Sequence, residues 1–194
     1  MQSAKWAKNK IEGCHVHVIW DVMLDRYLWG EVKRISPEAP VPVYNKKRRS
    51  EALGGAGIAV SNLAGHRCKV AVIGMRGSDA AGLQLNRLFQ NGHIRNVTIE
   101  SPEQPTITKT RVVSSGQQLI RLDDEKTKPL DFGIAEKVIR KTNQVAGDFK
   151  AIMLSDYGKG LLQINGLAQA FIAMARDRGL PVFVVPKGQD WERY

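Results

Sequence analysis

The stretch Asp21 to Pro42, DVMLDRYLWGEVKRISPEAPVP, decides the reading of the fold because it joins an acidic strand end to a polar, proline-bounded hairpin entry. Immediately before it, residues 15 to 20, HVHVIW, alternate and then run apolar. That pattern predicts a first strand feeding a buried sheet, with Asp21 and Asp25 following its end. Beyond it, Glu31 to Ser36 and Val41 to Arg48 are short polar-alternating segments around Pro37 and Pro40. Proline cannot donate to a sheet ladder, so these predict a small antiparallel flap, placed like a lid, rather than core strands.

Working outward, Gly54 to Leu63 opens on a glycine pair and turns small and apolar, as where a flap hands over to a buried helix. Lys69 to Gly74 reads as the next strand. Ser78 is expected to cap a helix through about Gln90, with Asp79 favourable in its first turn and Leu83, Leu85 and Leu88 facing the core. Thr106 to Val113 and Gln117 to Leu122, separated by Ser114-Ser115-Gly116, predict a hairpin that completes the lid. Asp131 to Val145 has helical spacing, Ala151 to Ser155 is a short apolar strand, Leu161 to Arg178 is a helix ended by Gly179, and Pro181 to Val185 is the last strand. Strands alternating with helices imply an α/β protein with a mostly parallel sheet, whose ligands sit at the carboxyl ends of the strands. Those ends carry Asp21, Asp156 and Lys187.

The chain has 194 residues, 43% hydrophobic and 25% charged, enough for one well-buried core, and no linker or repeat marks a second domain. One domain over residues 1 to 194 is therefore expected. No window approaches the roughly 18 apolar residues of a membrane span, and the amino terminus lacks the apolar run of a signal peptide, so a cytoplasmic protein is expected. The net charge of +10 suits an anionic partner without choosing one. The densest basic run, Lys46 to Arg49, has no interleaved aromatics and reads as a solvated strand edge, which argues against nucleic acid. Cys14 and Cys68 lie far apart outside any CxxC pattern, and the cluster of Cys14, His15 and His17 lacks a partner pair, so neither a disulfide nor a metal site is expected.

The opening stretch, together with LGGAGIAVSNLA, IGMRGSDAAG, PTITKTRVVSSGQQLIRLDDE, LSDYGKG and PVFVVPKGQDWERY in that order, resembles the ribokinase-like (PfkB) sugar kinases. Within them it resembles the D-glycero-β-D-manno-heptose 7-phosphate kinases of lipopolysaccharide synthesis. The resemblance implies a ribokinase-like, mostly parallel sheet flanked by helices, with a small β lid from segments at about 30–50 and 105–123. It also implies ATP and Mg²⁺, phosphorylation of the anomeric hydroxyl to the 1,7-bisphosphate for ADP-heptose, and a homodimer paired through lid strands. The family's nucleotide-binding part would begin near Tyr194, so the carboxyl part of the fold is expected to be missing and the chain to have little activity. The competing expectation is a non-catalytic sugar-phosphate-binding or dimerising remnant; a basic nucleic-acid-binding protein is a third.

The same resemblance supplies candidate site residues. Asp25 matches the family's sugar-binding aspartate, and a carboxylate's two acceptor oxygens can hold paired hydroxyls. Gly54 and Gly55 would let backbone approach a ligand closely. Arg111, Gln118 and Arg121 fall on the lid hairpin, where alternate residues share a face. Lys159 and Lys187 lie just past strands where a fixed cation could meet the 7-phosphate. Ordinary solvated lysines and strand residues are the alternative for these. Asp156 is expected to orient a lysine or hold its loop.

Several departures bear on the site. Ile58 stands where the family signature ends in asparagine, Trp20 where glycine usually precedes the first aspartate, and Val185 where aspartate usually precedes PKG. These three are expected to mark drift at ligand-facing places. A dinucleotide fingerprint is weakened by Val60 in its third-glycine position, and no Walker loop is present. Ala146-Gly147-Asp148 mimics part of the family's Gly-Ala-Gly-Asp motif but leads into a strand, and reads as a turn. No catalytic residue is therefore assigned.

Overall fold

The computed structural model describes residues 12–126, 132–145 and 149–194. Its central sheet has five parallel strands: β1 (His15–Trp20), β4 (Lys69–Ile73), β6 (Arg95–Asn96), β10 (Ala151–Ser155) and β11 (Val182–Val185), in the order β11-β10-β1-β4-β6. A second sheet holds β2 (Met23–Ile35), β3 (Pro42–Leu53), β8 (Ile107–Ser114) and β9 (Gln117–Asp124), in the order β3-β2-β8-β9. Two short strands, β5 (Met75–Gly77) and β7 (Ile99–Ser101), pair separately. The helices are α1 (Gly57–Gly65), α2 (Ala80–Asn91), α3 (Phe132–Gln144) and α4 (Leu167–Asp177).

The central strands read as near-continuous apolar runs because helices cover both of their faces. Along β1, Val18 and Trp20 join Val60, Val72, Leu85 and Phe89 in the core beneath α1 and α2. Ile19 instead joins Ile73, Val138, Ile152, Leu154 and Phe171 beneath α3 and α4. Each such side chain, removed from water, contributes on the order of 1.5–3 kcal/mol against the entropy of ordering it. At the β11 edge the cover is incomplete: Val182 and Val184 pack inward, while Phe183 and Val185 remain 57% and 44% exposed.

Three expectations need correction. The helix expected from Ser78 is capped by Asp79, whose carboxylate accepts from Gly82 N at 2.7 Å, from Thr106 Oγ1 at 2.7 Å and from Thr106 N at 2.8 Å. Leu83 is 57% exposed, since Gly82, Leu85 and Phe89 form the inward stripe and Leu83 falls off it. The helix expected from Leu161 begins at Leu167, after Gly166 in the left-handed region at φ +76. Leu161, Leu162 and Ile164 are buried within turns, so an apolar run there signals burial without helical period.

The proline-bounded segments also extend further than expected. β2 and β3 pair antiparallel from Leu24 and Leu53 out to Ile35 and Pro42. Their charged residues hid the inner half of the hairpin, because Arg26 and Glu51 face each other there as an ion pair at 2.8 Å. β2 then pairs parallel with β8, and β8 antiparallel with β9 across the turn at Ser115 and Gly116.

Candidate sugar site at the junction of the two sheets

Asp21 follows β1 and is 4% exposed. Its Oδ2 accepts the backbone N–H groups of Tyr157 and Lys159, and its Oδ1 that of Leu161, all at 3.0 Å. Burial pushes its carboxyl pKa up, and the amides of Lys159, Leu161 and Tyr157 work against that shift. Asp156, past β10, holds the same loop from inside: its Oδ1 accepts Gly158 N at 2.6 Å. Its Oδ2 accepts the Tyr194 hydroxyl at 2.7 Å and Arg193 Nη1 at 3.1 Å. Both aspartates are thus committed to shaping the loop from Asp156 to Leu161, as expected for Asp156.

That loop presents Lys159, and the segment after β11 carries Lys187. Lys159 Nζ lies 2.7 Å from Glu125, just past β9, and Lys109 Nζ lies 3.6 Å from the same carboxylate and 3.1 Å from Asp123. The Lys159 hydrogen bond is the main cause holding the Glu125 carboxyl below the usual range. Lys187 is exposed, and its Cγ sits 3.3 Å from where a Cβ on Gly158 would be, so the two lysine segments adjoin. Its backbone N–H donates to the Tyr194 hydroxyl at 3.4 Å.

Asp25 lies past β1 but inside β2, so the strand rather than a turn fixes it. Its Oδ1 is 2.8 Å from Arg111 Nη1. The two groups are 17% and 21% exposed, and the pairing holds the guanidinium charged. Gly54 closes the other side: a Cβ there would come within 2.9 Å of the Asp25 carboxylate. Gly55 has φ +59, and a Cβ there would meet Trp20 Nε1 at 2.9 Å. Asp25, Gly54 and Arg111 therefore form one cluster, with Gly55 backing onto the core.

Trp20 is not ligand-facing, contrary to expectation. It is fully buried among the core residues beneath α1, and its size fills space there rather than at the site. Ile58 is 71% exposed at the start of α1, and Val185 lies on the edge strand.

A row of rings and guanidinium groups continues from Asp25 along the second sheet. Arg111 stands 5.3 Å over the Tyr27 ring, Tyr27 stacks on Trp29 at 5.7 Å, and Arg48 stands 5.1 Å over Trp29. Trp29 Nε1 donates to Ser50 Oγ at 2.8 Å. Register places Arg111 opposite both Tyr27 and Arg121, so these share a face, and a bulge between Val112 and Val113 puts Gln118 opposite Val113 on it. Asp25 pairs with Lys109, four positions along β8 from Val113, so Gln118 lies about 13 Å along the strand from Asp25. Arg121 is occupied by Asp123 at 2.8 Å. Of the three lid candidates, only Arg111 reaches the Asp25 cluster.

Sequence reading missed Glu125, Lys109, Tyr27 and Trp29. The period-two spacing of Asp25, Tyr27 and Trp29 was the available signal; Glu125 had none. Ala146-Gly147-Asp148 lies outside the described residues. Among the described residues no three His, Cys, Asp or Glu side chains gather to hold a metal ion.

The family model for pfkB family carbohydrate kinases matches residues 15–189. This chain belongs to that family. Among characterised relatives, it is 42% identical over 178 residues to the bifunctional protein HldE of Geobacter metallireducens, covering 91% of this chain and 36% of that protein. It is 44% identical over 187 residues to HldE of Haemophilus ducreyi, covering 95% of this chain and 38% of that protein. The pfkB fold is equally plain in solved structures at low identity. A carbohydrate kinase from Agrobacterium tumefaciens superposes with TM-score 0.65 at 17% identity, over 89% of this chain and 53% of that one. Phosphofructokinase-2 from Escherichia coli, in complex with fructose-6-phosphate, superposes with TM-score 0.63 at 17% identity, over 94% and 57%. The chain thus spans a little over a third of those relatives and about half of those structures.

Proposed function

We propose that this chain is the sugar-binding part of a kinase that phosphorylates D-glycero-D-manno-heptose 7-phosphate at its anomeric hydroxyl, giving the 1,7-bisphosphate. The observation that carries the reading is the Asp25–Arg111 pair packed against Gly54, with Lys109, paired with Asp25 in register, sharing Glu125 with Lys159, and Lys187 on the segment adjoining the Lys159 loop. The ion pair fixes the carboxylate before substrate arrives, so its free lone pairs receive sugar hydroxyls without reorganisation. Lys159 and Lys187 take the 7-phosphate, Lys159 exchanging its contact with Glu125 for the more highly charged phosphate. The second sheet acts as the lid, with Arg111 closing over the sugar and Gln118 and Arg121 further out. The high identity to the two HldE proteins supports the heptose branch, and in this reading the chain works in the cytoplasm.

ATP and Mg²⁺ are the co-substrate and metal that the family implies. The contribution of these 194 residues is to bind and cover the sugar. Titrating heptose 7-phosphate into the purified chain tests this. Binding should weaken at least tenfold in Asp25→Asn and in Arg111→Ala; affinity unchanged in both would overturn the reading.

The opposite face of the lid supports a homodimer. Ile120 and Leu122 project there 52% and 51% exposed, across from Val112 and Thr110. Sedimentation velocity should give a dimer for the wild type and a monomer for Leu122→Glu; a monomeric wild type sinks this part of the proposal.

A further inference from the structure

The amino ends of the parallel strands, remote from the strand ends that carry Asp21 and Asp156, enclose a cavity of about 790 Å³. β1 enters it with His15, β4 with Lys69 and β6 with Arg95, while Arg67 and His93 stand on its rim. Among the described lining residues there is no Asp or Glu. Glu12 offsets Arg67 at 2.8 Å, but Lys69 and Arg95 make no ion pair among the described residues. Part of its lining is apolar, including Val70, Val145 and Phe149.

A concave, partly apolar wall whose cations Lys69 and Arg95 make no ion pair among the described residues concentrates positive potential. His17, buried and stacked on Phe149 at 4.3 Å, registers that field: burial first, then the charges of Arg95, His15 and Arg178, lower its pKa to about 4. The volume lies within the range of roughly 300–1,000 Å³ typical of small-molecule pockets. Arginine's planar fork and lysine's point charge are together the pair suited to phosphate oxygens. We propose that this cavity is a second anion site, which binds a phosphorylated small molecule with its phosphates on Lys69 and Arg95 and its body against the apolar wall. It is independent of the sugar site and does not rest on the identity of the sugar.

The test is calorimetric titration of the whole chain with ADP in the absence of divalent metal. Wild type and Asp25→Asn should bind alike, and Lys69→Glu/Arg95→Glu should bind at least tenfold more weakly. Lys69→Gln/Arg95→Gln provides the milder pair if charge reversal prevents folding, with an expected loss of about fivefold. Thermal denaturation confirms that each variant is folded. No ADP binding by the wild type, binding indifferent to both double variants, or an equal loss in Asp25→Asn overturns the proposal.

Discussion

The two large sheets are built on opposite physical terms. The central strands span two to six residues and, at its centre, are buried on both faces, whereas β2 and β3 run 13 and 12 residues and are mostly half-buried or exposed. In the central sheet, apolar side chains removed from water do the stabilising. In the second, cross-strand ion pairs, ring stacks and cation–ring contacts each contribute roughly 0.2–1 kcal/mol. The core tolerates little change in shape, while the second sheet holds polar groups in place at small individual cost. The Asp25–Arg111 pair sits where the two meet, with its backing from Gly54 and Gly55 against the core residue Trp20.

The contrast can be broken most directly at Trp20. Trp20→Ala should cost about 3–5 kcal/mol of unfolding free energy, read from denaturant midpoints, because it empties a fully buried position. A loss below about 1 kcal/mol would return Trp20 to the list of tolerated departures at the site.

A smaller effect comes from His17 at the amino end of the same sheet. Its pKa falls from 6.5 to about 4 on folding, so the unfolded chain binds the proton more readily. This contribution is fully present above about pH 6.5 and is lost as pH falls toward 4. We expect about 2 kcal/mol across that window, and His17→Phe, which keeps the stack on Phe149, should flatten that part of the stability profile. An unchanged slope in the variant would assign the acid sensitivity elsewhere.

The smallest effect belongs to the second sheet. The Tyr44 hydroxyl donates to the backbone oxygen of Leu28 at 2.5 Å, with the backbone oxygen of Val113 within 3.1 Å as its alternative acceptor, so it sits across β2 between β3 and β8. Tyr44→Phe should cost about 1 kcal/mol or less, since water can reach the vacated carbonyls. A cost as large as that of Trp20→Ala would show that the second sheet is as tightly organised as the first and would end the contrast.

Legibility followed the same division. HVHVIW and AIMLS were placed to the residue as β1 and β10, because uninterrupted apolar runs of that length have few alternatives in an α/β chain. The run from Leu161 failed because burial without period looks the same in a helix and in a turn. β5, β6 and β7, with two or three residues each, are too short to carry a period. At the site, the resemblance picked out Asp25, Gly54 and Arg111 one by one. The loop-shaping role of Asp21 and the hold of Glu125 on Lys159 join segments far apart in the chain, and no local pattern encodes them.

Sequence by itself determined the family, the alternation of strands and helices, and the charged residue types that stand past the strand ends. These are properties of local pattern and ordered motifs. Tertiary structure alone decided that Trp20 fills the core, that Arg111 and not Gln118 or Arg121 meets Asp25, and that Asp21 and Asp156 spend their oxygens on the loop carrying Lys159. Partners are chosen by strand register and by the cost of burying an unpaired charge, and both exist only once the sheets have formed.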